Sequence, residues 1–189
     1  MDQILKTELS KLSPINEEDW KVFQSILEIK EFKKNETLLK EGQVCRGTYF
    51  IVEGAFRTFR LKDGNEIHTA FYFEKDFIRD IESLTNGTPS EVSIVALEDS
   101  KTIYIRKDKM FELYEKIPSF QNLGRKILEL MVVSERKYAS LFTDYRPEDR
   151  YKHILSHYPE LVQRVPIQYL ASFLGVARET LSRIRKRVQ

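Results

Sequence analysis

The chain has one cysteine, Cys45, among 189 residues. A single thiol excludes an internal disulfide framework and any iron–sulfur or zinc centre built from several thiolates, and it fits a reducing compartment. There are only three histidines, His68, His153 and His157. A metal enzyme on a jelly-roll scaffold clusters several histidines with a carboxylate, and the strand-rich region holds only His68. No run of about 18 apolar residues is present, so no membrane-spanning helix is expected. The opening Met1-Asp2-Gln3 begins a segment that alternates charged with apolar residues and lacks the basic and apolar regions of a secretion signal. A cytoplasmic location is therefore expected. No nucleophile–base pair, phosphate-cradling glycine loop, internal repeat or low-complexity tract is visible. Neither enzymatic activity nor a cofactor is expected.

What is present supports a folded chain with a charged end. Hydrophobic residues make up 41% and aromatic residues 12%, enough to bury a core. The overall charge of +2 conceals a division. Between Arg164 and Gln189 stand six basic residues and one acid, whereas the remainder carries 25 basic and 28 acidic residues. A slightly acidic body with a basic end suits a binder of nucleic acid or of an anionic surface.

Residues from about Leu5 to Ile29 read as two short helices broken at Ser13-Pro14. Asn16 is a suitable N-cap, with Glu17, Glu18 and Asp19 in the first turn, where the helix dipole favours acids. From about Phe32 to Ile105 the pattern becomes short runs of Tyr, Phe, Ile, Val and Thr punctuated by Gly42, Gly54 and Gly64. This is the pattern of an antiparallel β domain. Asp63-Gly64 predicts a tight hairpin turn. After it, Ile67, Thr69, Phe71 and Phe73 alternate with Glu66, His68, Ala70 and Tyr72, as in a half-buried strand. A helical period follows from about Ser119 to Phe142, carried by Phe120, Leu123, Ile127 and Leu130 and widened by Leu128, Met131, Tyr138 and Phe142. One side of such a helix can pack on the β domain while the other meets a second copy of the chain; the alternative is a core helix in a monomer. Tyr145-Arg146-Pro147 is the expected hinge.

The densest pattern lies between Ile167 and Lys186. A helix-turn-helix needs a small residue at the helix crossing, a residue tolerant of positive φ four positions later, and apolar residues between the helices. Ala171, Gly175, and the set Leu170, Leu174, Val176, Leu181 and Ile184 meet these needs together. On the second helix Leu181, Ile184 and Val188 share one face, and Glu179, Ser182, Arg183 and Lys186 lie almost opposite. Arginine can donate twice to a guanine edge and Glu can accept from cytosine, while Arg185 and Arg187 flank that face, placed for phosphates.

Arg178-Glu179-Thr180-Leu181-Ser182-Arg183 resembles the recognition helix of the Crp/Fnr family of bacterial transcription regulators. Upstream, Glu41-Gly42, Tyr49-Phe50-Ile51-Val52-Glu53-Gly54, Asp63-Gly64-Asn65-Glu66 and Asp76-Phe77-Ile78 are similar to the family's cyclic-nucleotide-binding-like β-roll, and Arg150 also has a counterpart. The resemblance implies an α+β fold: an antiparallel β-roll (double-stranded β-helix or jelly roll) with flanking helices, a long dimerisation helix and a small helix-turn-helix domain. The expected divisions are a sensor over 1–118, the dimerisation helix over 119–144 and a DNA-binding domain over 145–189. It implies that Arg178, Glu179 and Arg183 read the major groove, with Thr180 and Ser182 near the backbone. Arg185 and Lys186 complete the expected DNA contacts. Implied partners are double-stranded DNA, a second copy of the chain and RNA polymerase, with a small-molecule effector in the β-roll.

The sequence departs from the family at the nucleotide pocket. The Gly-Glu pair that meets the ribose aligns with Arg79-Asp80, and the Arg-Ser-type pair that holds the cyclic phosphate aligns with about Ser90-Glu91. A carboxylate near the phosphate position is repulsive. The residues therefore argue against cyclic AMP or cyclic GMP, and leave either a different effector or a β-roll that has lost its ligand. Haem sensing through Cys45 or His68, redox sensing through Cys45, and metal binding by the i, i+4 pair His153 and His157 have no further support; structural roles for Cys45 and His68 and solvent-exposed positions for the pair explain these residues. Ala177 replaces the family's common Ser, removing an N-cap. Many members continue into a β-hairpin wing, so with the chain stopping at Gln189 the wing's phosphate contacts are absent or the chain has been shortened. A competing function is a sensor module that signals through protein contacts with little DNA affinity.

Overall fold

The computed structural model describes residues 1–188; the side chains of Glu135, Lys137 and Tyr138 fall outside the description, as does Gln189. The contribution expected of Tyr138 to the long helix therefore lies outside the described residues.

Two helices open the chain, α1 (Asp2–Leu12) and α2 (Glu17–Gln24). Asn16 caps α2 by accepting from the Asp19 amide at 2.8 Å, with three acids in the first turn. Leu5, Leu9, Trp20 and Phe23 are buried, and the Phe23 ring lies 5.0 Å from that of Phe120.

Eight strands follow: β1 (Leu27–Phe32), β2 (Thr37–Leu39), β3 (Gly47–Glu53), β4 (Phe56–Lys62), β5 (Asn65–Tyr72), β6 (Phe77–Ile78), β7 (Ser93–Ala96) and β8 (Ser100–Arg106). Helix α3 (Ile81–Asn86) interrupts them after β6. They form two four-stranded antiparallel sheets, ordered β1-β8-β3-β6 and β2-β7-β4-β5. The inner faces enclose Leu39, Ile51, Phe56, Ile78, Ile94 and Ala96. At the β4–β5 hairpin both turn residues are left-handed, Asp63 at φ 51° and Gly64 at φ 77°, as a two-residue primed turn requires.

Two local expectations are corrected. The segment Leu27–Ile29, read as helical, is strand: Leu27 through Phe32 pair in continuous register with Ile105 through Ser100. Ladder bonds to a distant strand override the local helical reading. The simple alternation along β5 also fails. Thr58 pairs with Ala70 and Phe59 with His68, so Thr69 is an extra residue in a bulge. The bulge shifts the phase, and His68 and Phe71 become the buried residues of the strand.

Helices α4 (Lys107–Lys116) and α5 (Pro118–Asp144) carry the chain away from the roll. At 1.5 Å per residue α5 is about 40 Å long. Its first turns are buried through Phe120 and Leu123, whereas Leu128, Leu130, Val132 and Val133 are exposed. After a break at Tyr145-Arg146, four short helices follow: α6 (Pro147–His157), α7 (Pro159–Arg164), α8 (Ile167–Leu174) and α9 (Arg178–Val188). Pro147 and Pro159 stand in the first turns of α6 and α7, where a missing N–H costs nothing. The core of this bundle contains Tyr151, Ile154, Leu161, Leu170, Leu174, Leu181 and Ile184, and it is continuous with Ala55, Phe71 and Leu97 of the roll. Among the described residues no helix is long and apolar enough to cross a membrane.

Candidate nucleic-acid interface

Helices α8 and α9 pack at Ala171, which is only 2% exposed and so lets the backbones approach. Gly175 ends α8 at φ 69°, and the Val176 amide donates back to the Ala171 carbonyl at 3.0 Å. Leu170, Leu174, Leu181 and Ile184 are buried between the helices and Val176 is half-buried. These contacts decide which side of α9 faces out. Arg178, Glu179, Arg183 and Lys186 are exposed; Thr180, Ser182 and Arg185 are half-buried beside them. All seven residues expected to meet DNA thus lie on one short helix, most of them at its surface. Arg183 rests its guanidinium 3.4 Å from the Thr180 hydroxyl, and Arg187 is 4.0 Å from Glu148 on α6.

The four residues expected to line an effector pocket are not brought together as one open site. Asp80 is the N-cap of α3 and accepts from the amides of Glu82 at 3.1 Å and Ser83 at 3.2 Å. Its second oxygen accepts from the buried hydroxyl of Ser90 at 2.6 Å. The carboxylate is therefore already satisfied. Arg79 instead turns toward the Met131 sulfur of α5, and burial depresses its pKa. Glu91 is exposed. A cleft of about 680 Å³ opens elsewhere, between the roll and α4, with Val44, Cys45, Leu84, Tyr104 and Phe111 in its lining.

Cys45 is buried, with its sulfur 3.3 Å from the Gly47 carbonyl. The His153 and His157 rings stack at 4.1 Å, and His157 Nδ1 lies 3.0 Å from the His153 carbonyl oxygen. Among the described residues no group of three or more His, Cys, Asp or Glu is placed to hold a metal ion.

Sequence reasoning missed the polar contacts that tie the helical bundle to the roll. Arg57, 7% exposed, pairs with Glu66 and donates to His68 Nε2 at 2.9 Å. Because arginine only donates, this bond assigns the imidazole proton to Nδ1. Burial first, and the Arg57 charge second, lower the His68 pKa to about 4. The Tyr169 ring of α8 covers this pair, stacked 4.5 Å from His68 and 4.4 Å from the Arg57 guanidinium. Arg164 of α7 pairs with Glu74 at 2.7 Å, which pulls that carboxyl down to about 2, and also with Glu98. No sequence signal marks these residues: each is a polar side chain whose partner stands far away along the chain or across an unforeseen bulge.

Comparison with known proteins agrees with this architecture. Residues 29–117 match the cyclic nucleotide-binding domain family. The chain is 24% identical over 172 residues to the transcriptional activator protein FnrA of Stutzerimonas stutzeri, spanning 83% of this chain and 68% of that protein. The structure of FixK2 from Bradyrhizobium japonicum superposes with a TM-score of 0.68 at 18% identity, over 86% of this chain and 84% of FixK2. A putative Crp/Fnr-family regulator from Eubacterium rectale gives 0.68 at 17% identity, over 92% and 83%. Residues 29–117 are accordingly similar to cyclic nucleotide-binding domains, and the chain shares its fold with FixK2 and with the putative Crp/Fnr-family regulator.

Proposed function

We propose that the chain is a dimeric, sequence-specific transcription regulator of the Crp/Fnr type. In this reading 1–118 is the sensor, 119–144 the dimerisation helix and 145–189 a helix-turn-helix domain. One observation carries it: α9 buries Leu181 and Ile184 and turns Arg178, Glu179, Arg183 and Lys186 outward. A helix so divided offers base-reading donors and an acceptor along one stripe of a length that fits a major groove. The exposed apolar residues of α5 support a second copy of the chain packing along that helix. A dimer would place two reading helices about 34 Å apart, matched to half-sites about 10 bp apart.

The capped Asp80 and the turned Arg79 argue against cyclic AMP as effector. Control by another small molecule, or none, is the reading that fits. RNA polymerase is the implied partner at a promoter, and the cytoplasm the implied location.

Selection of bound sequences from random duplex DNA, at fixed salt and without ligand, tests the proposal. An inverted repeat is expected for the wild type, with relaxed preference at one position of each half-site in Arg183→Ala. No enrichment, with or without candidate effectors, would overturn DNA reading and favour a sensor that signals through protein contacts.

A further inference from the structure

We infer that the outer edge of β5 is a seat that sets where the reading helix α9 stands, through Ser172 and Tyr169 of α8 and Arg164 of α7. The inference rests on the DNA-reading proposal and names the residues that position its reading helix.

The geometry begins with an open edge. β5 is the last strand of its sheet, so the backbone groups on its outer side have no strand partner. Ser172 supplies one. Its hydroxyl accepts from the His68 amide at 3.1 Å and donates to the Glu66 carbonyl at 3.0 Å. A single side-chain oxygen thus takes the place that a ninth strand would occupy at this point. Such a contact fixes the helix along β5, because a shift of one residue would present side chains of the opposite face.

Two neighbours on the same face of α8 extend the seat. Tyr169, three residues before Ser172, lies over Arg57 and His68. Phe173 packs edge-on to Phe71 at 5.5 Å. At the other end Arg164 bridges Glu74 and Glu98, and Glu74 also accepts from the Gly54 amide at 2.8 Å. The seat is thereby anchored to β5 and to the turns that follow β3, β5 and β7.

The other side of α8 transmits the position. Leu170, Ala171 and Leu174 are buried in the same core as Leu181 and Ile184 of α9, so α9 moves with α8. The two contacts differ in character. The α8–α9 contact is apolar, whereas the seat joins the apolar contact of Phe173 with Phe71 to hydrogen bonds and charges that fix its register.

Amide hydrogen exchange on the full-length protein tests the seat without DNA. In Ser172→Ala, the His68 amide is expected to exchange about tenfold faster, while the core amides of α8 and α9 keep their protection. An unchanged His68 amide, or equal loss of protection in α8 and α9, would overturn the inference. The second arm uses duplexes carrying the selected half-sites at several spacings. The wild type should favour one spacing; Ser172→Ala and Arg164→Gln should accept additional spacings with the same half-site bases. An unchanged spacing preference in both variants would also overturn it. Failure of the wild type to bind any duplex would instead strike the DNA-reading proposal, and the exchange arm would still report on the seat.

Discussion

The guanidinium of Arg150 on α6 donates to the carbonyl of Leu174, the last residue of α8, at 2.6 Å. The same group reaches the carbonyls of Leu141 at 2.9 Å, Phe142 at 3.3 Å and Tyr145 at 3.2 Å. One side chain thereby closes the ends of two helices that would otherwise leave carbonyls unpaired. Replacing Arg150 with Met should cost about 2–3 kcal/mol in urea unfolding. Lys, with a single compact ammonium, should restore less than half. An unchanged midpoint in the Met variant would show that water serves these carbonyls equally well.

Stability should fall as the solution is acidified from pH 6.5 to 4. His68 is held near 4 in the folded chain and returns to about 6.5 when unfolded. The unfolded state takes up the proton first, so stability present above pH 6.5 is lost toward pH 4, by up to about 3 kcal/mol. The groups facing the imidazole are Arg57 at 2.9 Å, Glu66 at 3.6 Å and the rings of Phe59, Phe71 and Tyr169. Glu74, held near 2 against an ordinary value of 4.5, adds its own loss only from about pH 4.5 downward. Thermal melts of the wild type and His68→Gln between pH 7 and 4.5 check the assignment. Parallel slopes in the two proteins would place the pH dependence elsewhere.

Gly54 and Gly175 both take positive φ, at 103° and 69°, but their surroundings differ. A Cβ on Gly54 would stand 2.1 Å from the Ser100 hydroxyl and 2.8 Å from its Cα, whereas one on Gly175 meets nothing within 4 Å. Gly175→Ala should cost about 1–2 kcal/mol, the price of the left-handed conformation alone. Gly54→Ala adds a collision with β8 and should cost about 3 kcal/mol or more. Equal losses in denaturant unfolding would mean that Ser100 moves aside freely.

Leu128 and Val132 are one helical turn apart on α5 and more than half exposed. If a second copy covers them, Val132→Glu should shift sedimentation from dimer to monomer and weaken binding to an inverted repeat at least about tenfold. A variant that sediments as the wild type would remove this face from the interface.

The parts of the fold legible in the sequence are those governed by neighbours along the chain. Asn16 with three following acids, Asp63-Gly64, and the Ala171–Gly175 spacing each state a local geometry, and each appears where expected. Leu27–Ile29 misled because its strand character comes from β8, more than seventy residues later. His68 misled because one inserted residue, Thr69, reverses a period of two. The exposed polar stripe of α9 could be read from helical spacing alone. The Ser172 seat could not, because a serine on an amphipathic helix does not indicate that an unpaired strand edge lies opposite.

The pairing of β1 with β8 also bears on how the chain is made. Leu27 cannot find Ile105, nor Phe23 find Phe120, until most of the β-roll has left the ribosome. At about 5–20 residues per second, the early strands wait several seconds with their partners unsynthesised. During that interval β1 and β3 are open to wrong pairings that β8, between them in the finished sheet, later forbids. The contacts among α6, α7, α8 and α9 lie within one short stretch of chain and have no such delay. Synthesis rate and chaperone supply should therefore limit the yield of the roll far more than that of the bundle.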